Sequence, residues 1–160
     1  MRLYLIRHAT AVPSGSAGIP DDERPLTRRG EQRWKRAARG LAQLLKRPEA
    51  LFSSPLPRAW RTAEIAAAAW GRLLAQPADA LARGSFAEWE ELVAAAPAAA
   101  CVALVGHEPH MSSLVAMIVG GDAARVPFKK GGVAVLEVQG PWVEGGTLLA
   151  FLPPGLLRRG

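Results

Sequence analysis

Ala100-Cys101-Val102-Ala103-Leu104-Val105 is apolar at every position, and this run narrows the possible folds more than any other feature of the chain. A strand with one face in water alternates apolar and polar residues, whereas an unbroken apolar run suits a strand covered by helices on both faces, as in parallel sheets. The rest of the chain fits that setting. Residues 2–7 read as a buried strand, 11–25 as a loop rich in Pro, Gly, Ser and Asp, and Thr27 as the cap of a helix reaching about Lys46. Trp34, Ala38, Leu41 and Leu45 give that helix its apolar stripe. Ala50 to Ser53 reads as a strand, 54–57 as a turn, and Trp60, Ala63, Ala67, Trp70 and Leu74 as the inward stripe of a second helix. A short strand is expected near Gln76 to Leu81, then a helix from Ser85 to Ala95 with Phe86, Trp89, Leu92 and Val93 inward. After the apolar run, Pro109 suits a helix's first turn, Leu114, Val115 and Ile118 point inward, and Gly120-Gly121 close the helix. Val133 to Val138 and Thr147 to Leu152 read as a hairpin.

The expected architecture is therefore α/β: a single domain over 1–160, a three-layer sandwich with a mostly parallel sheet, helices on both faces and an antiparallel C-terminal hairpin. No repeat or charge block divides the chain, although the stretch 94–100 is rich in alanine. At 160 residues it can bury about two-thirds of its unfolded surface without staples. Its single cysteine, Cys101, excludes an internal disulfide and any multi-cysteine metal site. With no signal-peptide core and no apolar stretch of about eighteen residues, a cytoplasmic protein without membrane contact is the expectation. Lys plus Arg number 20 against 14 Asp plus Glu, a net charge of +6 that suits an anionic partner. Much of this charge lies in residues 28–39, which the helical spacing makes a solvated outer face; without interleaved aromatics, nucleic-acid binding is the weaker reading.

Ligands of such sheets bind beyond the carboxyl ends of the strands, where three features fall independently. Arg7 and His8 follow the first strand, Arg58 the second, and His107 the apolar run. Arg58 and His107 also stand at helix starts, whose free N–H groups favour anions. Two imidazoles and two guanidiniums can thus surround one dianion. A metal site is the main chemical rival, but His8, His107 and His110 beside two arginines have the wrong charge for a cation. Neither a Gly-x-Ser-x-Gly elbow nor a Walker loop is present.

Four motifs, in order, carry a family resemblance: Arg7-His8-Ala9, Arg24-Pro25-Leu26-Thr27-x-x-Gly30, Ser53-Ser54-Pro55-x-x-Arg58-Ala59-x-x-Thr62-Ala63, and Val105-Gly106-His107-Glu108-Pro109. Together they resemble the histidine phosphatase superfamily, also called phosphoglycerate mutase-like. The short length, the Arg-His-Ala variant and Phe128 to Val133 are most similar to its SixA-type phosphohistidine phosphatases. The resemblance implies that His8 attacks phosphorus and becomes a phosphohistidine, that Arg7 and Arg58 hold the non-bridging oxygens, and that His107 stabilises the transition state, with no metal or cofactor. The implied substrate is a phosphohistidine protein or a small phosphorylated metabolite.

One departure bears on the choice. Many members carry a Glu-centred acid motif before the second His; here Glu88, Glu90 and Glu91 lie in that interval without the motif, and read as a solvent-facing helix surface. Asp21, Asp22 and Glu23 are alternative proton donors. An imidazole, with a conjugate-acid pKa of about 6.5, leaves more readily than an alkoxide, so a missing acid points toward a P–N bond. A small-molecule phosphomonoesterase and, in another class, a non-catalytic phosphate- or nucleic-acid-binding module remain as alternatives. Lys129-Lys130 stands as either a substrate contact or plain surface charge, and Trp142 as a partner contact or a residue packed across its turn.

Overall fold

The computed structural model describes residues 1–96 and 100–159, so the alanine-rich stretch 94–100 falls partly outside the described residues. Six strands, β1 (Arg2–Arg7), β2 (Ala50–Ser53), β3 (Ala75–Pro77), β4 (Cys101–Gly106), β5 (Val133–Val138) and β6 (Gly146–Leu152), form one sheet in the order β3-β2-β4-β1-β5-β6. β1, β2, β3 and β4 pair in parallel. β5 runs antiparallel to both β1 and β6, so the expected hairpin closes one side of the sheet.

The helices α1 (Arg28–Leu44), α2 (Pro57–Trp70), α3 (Ala80–Arg83), α4 (Phe86–Ala94), α5 (His110–Val119) and α6 (Pro154–Leu157) cover both faces. Leu3, Leu5, Val102 and Leu104 point to one core, filled by Leu81, Trp89, Met111 and Leu114 from α3, α4 and α5. Tyr4, Ile6, Ala103 and Val105 point to the other, filled by Trp34, Leu41, Ala63, Ala66 and Leu157 from α1, α2 and α6. Each central strand is thus buried on both sides, which is why its sequence does not alternate.

Local signals set most boundaries. Thr27 caps α1 by accepting from the Gly30 N–H, Ser85 and Glu88 form a capping box on α4, and Gly120 ends α5 in the left-handed conformation.

Two expectations are corrected. α2 stops at Trp70, so Leu74 lies outside it and is exposed, and the deeply buried face runs through Ala59, Ala63, Ala66 and Ala67 rather than Trp60 and Trp70. Small residues there let α2 lie close to its neighbours, and the larger tryptophans are left half-buried at the margin. The strand expected from Gln76 to Leu81 ends at Pro77, whose ring removes a ladder donor. Leu81 belongs instead to α3, where it is fully buried.

Trp142 is 2% exposed and packs into the core of α4 and α5, so it is a packing residue, and its backbone N–H donates to Glu90 Oε1. Among the described residues no helix is long and apolar enough to cross a membrane.

Candidate active site

Strand register brings the two histidines together. Arg7 pairs with Gly106 across β1 and β4, so the next residue of each strand, His8 and His107, emerges at the same level, and their rings lie 5.2 Å apart between centroids. The His8 N–H donates to the Gly106 carbonyl, and the Ser54 N–H donates to the Val105 carbonyl, which seats the end of β2 alongside. Arg58 follows at the second position of α2. The sequence-derived quartet of Arg7, His8, Arg58 and His107 therefore converges at one edge of the sheet, with His8, Arg58 and His107 all buried.

The His8 tautomer follows from its partner. Its Nδ1 lies 2.7 Å from the Ala9 carbonyl oxygen, which can only accept, so Nδ1 carries the proton and Nε2 keeps a free lone pair. Burial, reinforced by the charges of His107, Arg58 and Arg7, lowers the His8 pKa to about 3. His107 is lowered to about 4 by burial and by Arg58, His110 and Arg24. Both rings are neutral at neutral pH, the state a nitrogen nucleophile needs. His107 Nε2 shares a 2.8 Å hydrogen bond with Ser54 Oγ.

The guanidiniums are held by backbone carbonyls rather than neutralised by close carboxylates. Arg7 Nη1 donates to the Phe128 carbonyl. Arg58 Nη1 donates to the Asp21 carbonyl at 2.8 Å, and its Nη2 stands 3.7 Å from Asp21 Oδ2. Among the described residues, the buried side-chain nitrogens and oxygens without a hydrogen-bond partner are Arg7 Nε, Arg58 Nε and His107 Nδ1. All three belong to this quartet. Unpaired buried groups of this kind cost about 1–3 kcal/mol each, and an anion with several acceptor oxygens relieves that cost.

The loop over 11–25 is anchored at its base by an Ala11–Leu26 bridge and by Arg24 Nη1 on the Val12 carbonyl, which carries Asp21 onto Arg58. Its carboxylates are already engaged. Asp21 Oδ1 accepts from Ser14 and Arg24, which hold the carboxyl below its ordinary pKa, and Asp22 pairs with Arg83. Glu23 is exposed. Glu88 is exposed and bound to the Ser85 N–H and hydroxyl, which lower its pKa. Glu91 faces solvent as expected, but Glu90 is half-buried and secures Trp142, a correction to its reading as plain surface.

Three supporting residues stand in the motifs without having been singled out. Ser54 orients His107. Thr62 Oγ1 accepts from the Ala9 N–H and donates to the Arg58 carbonyl, so one hydroxyl joins the backbones beside the nucleophile candidate and its clamp. Gly131, at φ +74°, gives its N–H to the carbonyls of both Arg7 and His8, a conformation that favours glycine. Their only sequence signal was motif position, because each acts through a partner distant along the chain. Among the described residues no group of three or more His, Cys, Asp and Glu side chains is placed to hold a metal ion.

Comparison with known proteins places this geometry. The sequence profile of the histidine phosphatase superfamily (branch 1) matches residues 3–100, and the chain belongs to that superfamily. An uncharacterised protein of Picosynechococcus sp. is 39% identical over 142 residues, covering 86% of this chain and 85% of that one. Among solved structures, SixA of Agrobacterium tumefaciens, which bears the name of a phosphohistidine phosphatase, is 29% identical with a TM-score of 0.81, covering 96% of this chain and 97% of that one. A phosphoserine phosphatase of Entamoeba histolytica, solved as an H9A mutant with phosphoserine, shares the fold at a TM-score of 0.73 and 14% identity, each chain covered to 98%. The class is thus a superfamily of phosphatases, and the fold is shared with solved structures named for both nitrogen-linked and oxygen-linked phosphate.

Proposed function

We propose that this chain hydrolyses phosphohistidine in proteins, through a phosphohistidine formed on His8. The observation that carries the reading is the His8 ring itself: buried, neutral, with Nδ1 committed to Ala9 and Nε2 free. In the first step Nε2 bonds to phosphorus while the bond from phosphorus to the substrate's imidazole nitrogen breaks, and that nitrogen takes up a proton from solvent. In the second step water attacks phosphorus, inorganic phosphate leaves, and His8 returns to its neutral form.

Arg7 and Arg58 hold the non-bridging oxygens. His107 Nδ1 gains an acceptor when the phosphoryl group arrives. The approaching negative charge also raises the tendency of that ring to hold a second proton, so it stabilises the transition state as charge develops.

The leaving group follows from the engaged acids. Glu88 and Asp21 are both held in the ionised form by hydrogen-bond donors, and Asp22 is paired with Arg83. An alkoxide must be protonated as it leaves, whereas an imidazole with a conjugate-acid pKa of about 6.5 departs without a carboxylic acid. A second reading, hydrolysis of a small phosphomonoester, is supported by the position of the 21–23 turn against Arg58, where Asp22 could be released from Arg83.

Incubation with phosphohistidine protein, sugar phosphates and an aryl phosphate, followed by acid-free trapping and peptide mapping, tests both. The expected result is phosphate on His8 and fastest turnover of the phosphohistidine protein. Label on any other residue overturns the mechanism, and preference for sugar phosphates, abolished by Asp22→Asn, establishes the second reading.

A further inference from the structure

We propose that His110 passes a proton from solvent to the departing atom of the leaving group as its bond to phosphorus breaks. The inference rests on His8 being the phosphorus nucleophile and adds a proton donor to that reading.

His110 opens α5 three residues after His107, and two other rings hold its side chain. Phe86 meets it edge-on, 6.3 Å between centroids at an interplanar angle of 88°, and Trp89 lies 6.0 Å away at 36°. Phe86 and Trp89 also meet edge-on at 5.5 Å, so the three rings form one cluster. Trp89 anchors it, being 1% exposed and donating from Nε1 to the Ala80 carbonyl at 2.7 Å. Its Cη2 would lie 3.7 Å from a Cβ on Gly106, the residue that precedes His107 and whose carbonyl accepts the His8 N–H. The cluster that orients His110 is therefore packed against the backbone that carries both site histidines. His110 itself is exposed, and among the described residues no hydrogen bond or ion pair engages its nitrogens.

Position and charge tie this ring to the reacting atoms. α5 covers one face of the sheet and α2 the other, so His110 and Arg58 flank His8 and His107 from opposite sides. The charge of His110 is one of those that lower the His107 pKa, which puts the two rings within electrostatic reach. The carboxylates beside it are committed: Asp22 pairs with Arg83, and Glu108 receives the Ser112 N–H on Oε1 and the Ser112 hydroxyl on Oε2. An imidazole open to solvent is suited to shuttle protons near neutral pH. As His8 Nε2 bonds to phosphorus, protonated His110 gives its proton to the leaving nitrogen or oxygen, which keeps the electron pair of the broken bond. Neutral His110 then takes a proton from the attacking water as the water oxygen bonds to phosphorus and His8 departs.

The test follows single-turnover phosphorylation of the protein by two aryl phosphates that differ in how much the leaving oxygen needs a proton. One releases a nitrophenol, whose anion is stable, and the other releases phenol, with a pKa of about 10. Wild type is compared with His110→Phe, which keeps the aromatic packing and carries no exchangeable proton, and with His110→Gln. The expected result in both variants is a fall of about 10²-fold in the rate with phenyl phosphate and a change of no more than about threefold with the nitrophenyl ester. A purely structural role would lower both rates together. Phosphate trapped on His8 with an equal fall on the two substrates, or with no fall on phenyl phosphate, overturns the role of His110 alone. Phosphate trapped on another residue overturns the nucleophile, and this inference with it.

Discussion

At the edge of the sheet where β1 and β4 begin lies a hollow of about 590 Å³, lined by Arg2, Lys46, Arg47, Glu49 and Glu137 among others. Charges of both signs meet there: the Cys101 N–H donates to Glu49 Oε2 at 2.7 Å, the Met1 nitrogen donates to the Val138 carbonyl at 2.8 Å, and among the described residues no buried side-chain nitrogen or oxygen of this lining lacks a partner. At the opposite edge, two guanidiniums and two neutral imidazoles converge, and three of their nitrogens are buried without partners. One edge leaves no buried side-chain polar atom unpartnered among the described residues; the other leaves three, which suits an anion. Cavity size does not separate a structural hollow from a site, whereas unmet donors and histidines held neutral do.

Breaking that contrast at its strongest point gives the largest expected effect. His8→Ala removes the proposed nucleophile and should lower kcat/KM on phosphohistidine protein by about 10⁴-fold or more, with phosphate trapping lost as well. Arg58→Met removes one clamp and should lower kcat by roughly 10²- to 10³-fold, measured in single turnover. At the opposite edge, Glu49→Gln keeps the side-chain shape and weakens the bond to the Cys101 N–H. It should lower stability by about 1 kcal/mol in urea denaturation and leave turnover unchanged. A comparable loss of activity from Glu49→Gln would erase the distinction between the two edges.

Titration sharpens the comparison further. His8 and His107 have pKa values of about 3 and about 4 in the fold, against an unperturbed value near 6.5 in the unfolded chain. Below pH 6.5 the unfolded state therefore binds more protons than the native state. The stability present above pH 6.5 should be lost progressively as the pH falls toward 4 and then 3. Urea midpoints at pH 7.5 and 4.5 should show the drop, and His8→Gln should reduce it; an identical drop in the variant would falsify burial of a neutral His8.

A more modest effect on turnover than loss of His8 or Arg58 lies in the bonds behind the site. Thr62→Val leaves the buried Ala9 N–H without its acceptor and should cost about 1–2 kcal/mol in stability, together with about a tenfold fall in kcat. A fall in stability with kcat unchanged would mean that Thr62 supports the fold but does not position His8.

Much of this geometry is legible in the chain because parallel strands end at a common edge. Arg7-His8, Arg58 and His107 each follow an apolar strand, and that repetition predicts their convergence without coordinates. Leu74 and Leu81 were misplaced for a different reason. Their apolar character is the same in a helix stripe, a strand or an exposed turn, and only the end of α2 at Trp70 and Pro77 in β3 decide among these. Trp142 was equally ambiguous until α4 and α5 were seen to enclose it.

By itself the sequence determined the strand and helix alternation, the superfamily motifs and the four residues at the sheet edge, because periodicity and strand-end position are local properties. Tertiary structure decided which nitrogen of His8 is free, how far both imidazoles are held from protonation, and that Glu88, Asp21 and Asp22 are already engaged. It also decided that Phe86 and Trp89 hold His110 at the same edge. Those properties depend on partners tens of residues away, and a pKa or a tautomer is set by the surroundings that packing creates.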